Sequence, residues 1–120
     1  MPGYSKEQQL ARGERRRFRK VANWRERVKL RREKLGPCRT CGATWDLELH
    51  HLVKRSAGGG DVADNLVSLC RNCHHLYIHK RDPIMAHVLL ANLSDAEYAY
   101  MIERGGEDYP ERAYGVSYER

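Results

Sequence analysis

Apolar and polar positions in the first third of the chain predict helical structure. Residues 5–35 contain no proline, and their apolar side chains recur at roughly helical intervals. One or two helices are therefore expected, with Trp24, Val28 and Leu35 facing the core. Pro37 follows a glycine and ends this helical region, because proline cannot continue a helix.

The middle of the chain predicts a β-hairpin followed by a helix. Residues 47–52 alternate apolar and polar positions as a strand does, and residues 65–69 form the return strand. Residues 55–61 consist of turn-forming types and are expected to form the loop between them. A helix is expected over about residues 73–80. Strands and helices in this order indicate the α+β class.

The last third of the chain predicts short helices and an irregular end. The apolar residues 83–92 are expected to form a short helix. Ser94 and Glu97 have the spacing of a capping box, which opens another helix that stops at Gly105. From Glu107 onwards, several tyrosines and a proline indicate an irregular tail.

Charge is unevenly distributed over the 120 residues, whose formal net charge is +6. Residues 1–37 carry 13 Lys or Arg against 4 Asp or Glu, and residues 83–120 carry 3 against 7. We expect a basic, partly disordered or helical arm (1–23), a core (24–82), and a helical extension with an acidic, tyrosine-rich tail (83–120). Such a basic arm favours a polyanionic partner, with a solvated charged helix as the alternative.

Composition indicates the compartment. The mean hydropathy is −0.78 and no apolar run approaches 18 residues, so no membrane partner is expected. The N-terminus lacks the apolar segment of a secretory signal, which predicts a cytoplasmic protein. Disulfides are rare in the cytosol, so paired cysteines there are typically metal ligands.

The four cysteines form two Cys-x-x-Cys pairs, Cys38 with Cys41 and Cys70 with Cys73. A tetrahedral zinc ion takes four thiolates, and two such turns on separate elements supply them. A core of this size buries little apolar surface, so a structural zinc is expected to staple it. Four thiolates close the coordination shell, and this ion is not expected to take part in chemistry.

A second set of metal-type residues lies among the cysteines. His50 and His51 are adjacent, Asn65 follows His51 by 14 residues, and His74 follows Asn65 by 9. His51 is a candidate general base, because imidazole exchanges protons near neutral pH. Adjacent strand residues point to opposite faces, so both rings can reach one site only at a bulge or a strand end.

These residues resemble the HNH endonuclease family, whose fold is the ββα-metal motif. The resemblance covers about residues 24–82 and includes the histidines, the asparagine, the loop glycines and both cysteine pairs. It implies a ββα-metal core with a four-cysteine zinc site, flanked by a basic N-terminal helix and short C-terminal helices. It further implies that His51 is the general base, that His50 and His74 hold a catalytic divalent cation, and that Asn65 orders the loop and holds the His51 backbone.

The identity of the catalytic ion stays open at this point. Many family members have an aspartate at the position of His50, which suits Mg²⁺, whereas imidazole ligands favour Mn²⁺, Ni²⁺, Co²⁺ or Zn²⁺. One α-helical turn beyond His74 the chain has Ile78. His79 is a poor match for the same helix face but can still reach the metal or the scissile phosphate, and His75 is expected at the surface or facing DNA.

Several basic residues are candidate contacts to the DNA backbone, with solvated loop charges as the alternative. They are Lys54, Arg55 and Arg71 around the motif, and Arg16, Arg17 and Arg19 in the arm. The glycine run over residues 58–60 permits unusual backbone angles and a close approach of the backbone to DNA.

Sequence and resemblance together predict a metal-dependent HNH endonuclease that hydrolyses phosphodiester bonds in DNA. One site cuts one strand, so nicking that leaves 5′-phosphate and 3′-hydroxyl ends is expected. Small family members often act with phage terminase in genome packaging, so terminase subunits are candidate partners. A bacterial or phage-infected cell is then the expected host. Restriction, homing and repair roles are also known in the family. The alternative is a zinc-stapled nucleic-acid-binding module without catalysis.

Overall fold

A two-stranded antiparallel sheet forms the centre of the fold. The computed structural model describes residues 24–120, apart from the side chain of residue 77. Strand β1 (Leu47–His51) pairs with strand β2 (Leu66–Cys70). The predicted hairpin is therefore confirmed, and His51, as the last residue of β1, occupies the strand end that the histidine pair requires.

Two short 3₁₀ turns and a glycine run connect the strands. The turns are Arg55–Ala57 and Ala63–Asn65. Gly58 has a φ of 95°, a value that other residues rarely adopt. A Cβ atom on Gly59 would lie 1.8 Å from the carbonyl oxygen of Val53. The close approach that this glycine permits is thus to the chain's own backbone, and it packs the loop against the end of β1.

A helical segment follows β2 directly and completes a ββα unit. Residues 71–72 are α-helical, and Cys73–Ile78 form a π-helix, in which each bond reaches back five residues. The His79 amide donates to the His74 carbonyl at 3.0 Å in this way. The predicted α+β class with a ββα-metal core is confirmed, and the predicted helix is of the π type.

Helices α2 (Pro83–Ala91) and α3 (Asp95–Gly105) begin where the sequence predicts them. The Asp82 carboxylate caps α2 by accepting a hydrogen bond from the Met85 amide. Pro83 is tolerated in the first turn, because the backbone amides there have no partner within the helix. The predicted capping box of α3 is present: the Glu97 amide donates to the Ser94 hydroxyl, and the Ser94 amide donates to the Glu97 carboxylate.

The end of the chain contains a helix, α4 (Tyr109–Tyr114), so the prediction of an irregular tail was wrong for these residues. Pro110 does not break this helix, because a proline in the first turn removes no intrahelical hydrogen bond. Tyr109 and Tyr114 are both buried. Packing onto the core therefore stabilises a helix that is too short to be stable alone.

Helix α1, of which residues 24–34 are described, lies on the surface of the fold. Trp24 is 65% exposed and Leu35 is 44% exposed. The prediction that these two side chains face the core was wrong, and Val28 is only half-buried. The helical spacing of apolar residues predicted the helix correctly but not its burial. Ion pairs, such as Lys34 with Glu97, attach this helix to the rest of the fold.

The hydrophobic core lies between the hairpin and the C-terminal helices. Its fully buried side chains come from both parts: Leu52, Val67 and Leu69 around the strands, and Ala86, Leu89, Leu90 and Met101 from α2 and α3. The helices beyond residue 82 therefore share one core with the ββα unit. Within residues 24–120, no helix is long and apolar enough to cross a membrane.

Glu97 is a buried carboxylate that connects α1, α3 and the segment between α1 and β1. It is 2% exposed and accepts hydrogen bonds from Arg39 at 2.7 and 2.9 Å and from Lys34 at 2.7 Å. Burial alone would raise the pKa of Glu97, but the hydrogen bonds from the two cations outweigh it and lower the pKa to about 2.

Replacing Glu97 with glutamine should destabilise the fold by about 3 kcal/mol, because two largely buried cations lose their counter-charge. The folded pKa lies below the unfolded value of 4.5, so the carboxylate stabilises the fold above that pH and loses its contribution as the pH falls toward 2. Denaturant unfolding should thus show a difference between wild type and E97Q that shrinks below pH 4.5. The exposed Glu103 on the same helix provides the control E103Q, and equal stability of E97Q and wild type at pH 7 would contradict the prediction.

Candidate metal centres and active site

The four cysteines converge at one end of the hairpin. Cys38 and Cys41 lie in the turn after α1, Cys70 ends β2, and Cys73 begins the π-helix. Their sulfur atoms lie within 4.8 Å of one another, with 3.6 Å between Cys41 and Cys70, and all four are free thiols. Four sulfur ligands about 2.3 Å from a zinc ion are about 3.8 Å apart, so the cluster has the dimensions of a tetrahedral metal site.

Polar groups of the surrounding turn contact the sulfur atoms. Burial raises the pKa of Cys38, but hydrogen bonds from the Thr40 hydroxyl and from backbone amides outweigh it and lower the pKa to about 6. The Cys73 amide donates to the Cys70 sulfur at 3.4 Å. A thiolate is the form that binds metal, and the donors around Cys38 stabilise that form there, whereas burial raises the pKa of Cys73.

Three histidines form a second cluster of metal-type ligands. His50 Nδ1 lies 3.2 Å from His74 Nε2, and His79 Nε2 lies 3.0 Å from the same atom. All three nitrogen atoms lie within 4.8 Å of one another. Nitrogen ligands about 2.1 Å from one ion are about 3.0–3.4 Å apart, so these residues fit a divalent cation.

The π-helix explains why His79 belongs to this cluster. At α-helical spacing the residue one turn beyond His74 is Ile78, and Ile78 is buried in the core. The wider π turn brings residues five positions apart to one face. The expectation that His79 matches this face poorly was wrong, because it assumed α-helical spacing.

Glu48 is a further residue of this centre that the sequence prediction missed. Its carboxylate lies 3.1 Å from His74 Nδ1 and 2.8 Å from His75 Nε2. The hydrogen bond from His74, followed by the influence of His75, lowers the pKa of Glu48. A proton held on His74 Nδ1 leaves Nε2 free to face His50 and His79. The period of a strand could have revealed Glu48, because it lies two residues before His50 and on the same face.

His50 is the buried member of the cluster. Its Nε2 atom lies 2.8 Å from the Tyr114 hydroxyl, which donates to the Leu52 carbonyl at 2.8 Å. Burial, supported by His74 and His79, lowers the pKa of His50 to about 3, so the ring is neutral at pH 7 and can act as a ligand. Tyr114 had no sequence signal, because it lies 64 residues away in a segment predicted to be irregular.

His51 lies beside the cluster and is held separately. Its Nε2 atom is 2.6 Å from Asp61 Oδ1. Asp61 also accepts two hydrogen bonds from Arg55, at 2.9 and 2.7 Å, and pairs with Arg27 of α1 at 3.6 Å. Burial raises the pKa of Asp61, but His51 and Arg55 outweigh it and keep the pKa below its usual value. The ionised carboxylate accepts a hydrogen bond from Nε2–H, which leaves His51 Nδ1 as the ring nitrogen with a free lone pair.

Asn65 is fully buried and joins both ends of the loop between the strands. Its Oδ1 accepts from the Val53 amide at 2.8 Å, and its Nδ2 donates to the carbonyls of Val53 and Gly60 at 3.0 and 2.9 Å. Asn65 was predicted to hold the backbone of His51. It holds instead the backbone of Val53, two residues after His51. Asn65 still fixes the position at which the chain leaves β1.

The basic residues predicted to bind DNA fall in different places. Lys54 and Arg55 line the pocket at the histidine cluster, and Arg55 is paired with Asp61. Arg71 lies beside the cysteine cluster and does not line that pocket. The basic arm over residues 1–23, with Arg16, Arg17 and Arg19, lies outside the described residues.

One pocket of about 360 Å³ brings six of the predicted site residues together. Its lining includes the four histidines and two cations: His50, His51, His74, His79, Lys54 and Arg55. Asn65 lies behind this surface and supports it. The pocket therefore combines candidate metal ligands, a candidate base and positive charge in a space that can hold a phosphate group.

The middle of this chain is similar to known proteins. Residues 38–80 match the family model described as HNH endonuclease. The type IV methyl-directed restriction enzyme EcoKMcrA of Escherichia coli (strain K12) is 35% identical over 69 residues, which cover 49% of this chain and 25% of that enzyme. The aligned segment thus represents about a quarter of that relative's length. No solved structure matches the chain significantly.

The fold and the clustered ligands define the ββα-metal class for this part of the chain. More particularly, residues 38–80 match the HNH endonuclease family model. The resemblance found in the sequence is confirmed over this segment.

Proposed function

We propose that this protein is a metal-dependent DNA endonuclease whose active site is the pocket between β1 and the π-helix. One observation carries the proposal. The inward nitrogen atoms of His50, His74 and His79 converge on one point, and His51 lies beside them with its ring held by Asp61. A metal-binding cluster alone does not need this fourth imidazole, whereas hydrolysis needs a group that takes up a proton.

The four histidines of the pocket have distinct roles in this proposal. His50, His74 and His79 would hold a divalent cation, which when bound supplies Lewis-acid activation of the scissile phosphate and stabilises the leaving oxygen. His51 takes a proton from the attacking water at Nδ1, while its Nε2–H keeps donating a hydrogen bond to Asp61. The water oxygen forms a bond to phosphorus, the bond from phosphorus to the 3′ oxygen breaks, and the 3′ oxygen takes a proton from solvent water, which leaves a 5′-phosphate and a 3′-hydroxyl.

The donor atoms favour particular ions at the two centres. Four thiolates select zinc for the cysteine cluster, where it would tie the turn after α1 to the π-helix. Three imidazole nitrogens favour Mn²⁺, Co²⁺, Ni²⁺ or Zn²⁺ over Mg²⁺ at the histidine cluster.

Binding of DNA would rest on phosphate contacts. Lys54 and Arg55 line the pocket, and a phosphate would compete with Asp61 for the Arg55 guanidinium. Arg16, Arg17 and Arg19 of the basic arm would add contacts that weaken as salt rises. Cellular DNA as the substrate fits a location in the cytoplasm of a bacterial or phage-infected cell.

Supercoiled plasmid should be converted to open circles when Mn²⁺, Co²⁺, Ni²⁺ or Zn²⁺ is added, more slowly with Mg²⁺, and not in a buffer without added divalent ions. Agarose gels measure the conversion, and resealing of the nicks by DNA ligase alone shows 5′-phosphate and 3′-hydroxyl ends. The variant H74A should not nick, because it lacks the imidazole that lies between His50 and His79 in the cluster. DNA binding without nicking under every ion would support the alternative, a zinc-stapled nucleic-acid-binding module.

The biological setting of cleavage has two candidates. The family resemblance points to genome packaging with terminase subunits, whereas EcoKMcrA is by its name a methyl-directed restriction enzyme. Cleavage of methylated and unmethylated plasmid, each with and without purified terminase subunits, separates them. A preference for methylated DNA favours restriction, and stimulation by terminase favours packaging.

A further inference from the structure

The hydroxyl of Tyr114 lies between two polar partners inside the fold. Tyr114 is 3% exposed and is the last residue of α4. Its oxygen lies 2.8 Å from the carbonyl oxygen of Leu52 and 2.8 Å from His50 Nε2. Both distances are those of good hydrogen bonds, so each contact needs one proton between its two heavy atoms.

Counting protons determines which atom donates in each bond. A phenol carries a single proton, and a carbonyl oxygen can only accept. Tyr114 therefore donates to Leu52, and the proton in the other bond comes from His50 Nε2. A neutral imidazole carries one proton, so His50 Nδ1 has a free lone pair. This is the atom that lies 3.2 Å from His74 Nε2.

We propose that Tyr114 is a positioning residue, which fixes His50 in the Nε2–H tautomer and so selects Nδ1 as the atom that faces the cation. The inference rests on the proposed metal centre and assigns a residue outside residues 38–80 to it. His50 is buried, so its Nε2–H needs a hydrogen-bond acceptor from the protein instead of from water. The Tyr114 hydroxyl provides that acceptor.

His74 carries its proton on the other ring nitrogen, Nδ1, and this arrangement supports the assignment. Glu48 accepts from His74 Nδ1, which leaves Nε2 as the inward atom. One histidine thus faces the centre through Nδ1 and the other through Nε2, and each has a proton acceptor behind it. Such partners orient metal-binding imidazoles and are worth about 10- to 100-fold in metal affinity.

The direct test is the tautomer of His50 in the wild-type protein, measured without DNA. Long-range ¹H–¹⁵N NMR at pH 7, with the cysteine site filled by zinc, should show a protonated Nε2 and an unprotonated Nδ1 for His50. Further Zn²⁺ should then shift the Nδ1 resonance. A proton on Nδ1, or a metal-induced shift at Nε2 instead, would overturn the proposal.

A variant gives a second, independent readout. Tyr114→Phe should weaken binding of Co²⁺ or Zn²⁺ at the histidine centre about 10- to 100-fold in calorimetry, with one zinc retained at the cysteines. Tyr109→Phe is the matched control, because it removes another buried hydroxyl of α4, one that accepts from the Lys54 amide at 3.0 Å. Unchanged affinity in folded Y114F contradicts the proposal, and if Y114F does not fold, the wild-type tautomer decides.

These measurements separate the proposal from the proposed function. If His50 binds the ion through Nδ1 and no DNA is cut under any condition, the positioning role stands and the nuclease assignment fails. If plasmid is nicked and His50 carries its proton on Nδ1, the nuclease assignment stands and the positioning role fails.

Discussion

Replacing His51 with alanine should lower the rate of plasmid nicking by about 100- to 10,000-fold, which is the usual contribution of a general base. The imidazole proposed to accept the proton of the attacking water is removed, whereas the inward nitrogen atoms of His50, His74 and His79 keep their positions. Metal affinity and DNA affinity should therefore change little. Single-turnover nicking, calorimetry with Co²⁺, and a DNA-binding titration measure the three quantities separately.

The exposed His87 provides the matched control for this substitution. His87 lies on α2, outside the pocket, so H87A should nick at the wild-type rate. An H51A protein that nicks as fast as H87A would show that His51 is not the base. A parallel loss of metal binding in H51A would show instead that the ring contributes to the metal centre.

Replacing Cys41 with serine should release the proposed structural zinc and unfold the domain. Structural zinc contributes on the order of 10 kcal/mol to small domains, which is comparable to the whole stability of a typical fold. Cys41 is exposed, so the serine itself fits without strain, and the effect comes from the lost ligand. Zinc content by mass spectrometry should fall below one ion per chain, and circular dichroism should show an unfolded core.

Thr44→Ser, an exposed substitution in the same segment, controls for a change of side chain in this region. It should keep both the zinc and the fold. A C41S protein that is folded, monodisperse and free of zinc would refute a structural role for the cysteine cluster.

The parts of the fold that the sequence predicted correctly are those with local signals. The alternation over β1 and the capping residues Ser94 and Glu97 each act within a few residues. The paired cysteines predicted a metal cluster because two ligands from one tight turn leave few other arrangements.

The parts that were missed depend on helix type or on distant packing. His79 joins the cluster only because Cys73–Ile78 is a π-helix, and a 3.6-residue period cannot show this. Tyr114 comes from a short helix that tertiary contacts stabilise, and its contact to His50 spans 64 residues. Trp24 has helical spacing but lies on a helix attached through Lys34 and Glu97.

The π-helical turn also affects how such a site can be found in other sequences. A π turn is equivalent to an α-helix that has gained one residue, and here the extra residue moves a histidine from the fourth to the fifth position after His74. A search pattern that requires three residues between the two helical histidines would pass over this chain, although its imidazoles meet within 3.0 Å. Patterns for centres of this kind should therefore allow either spacing when the helix begins at a metal-binding cysteine.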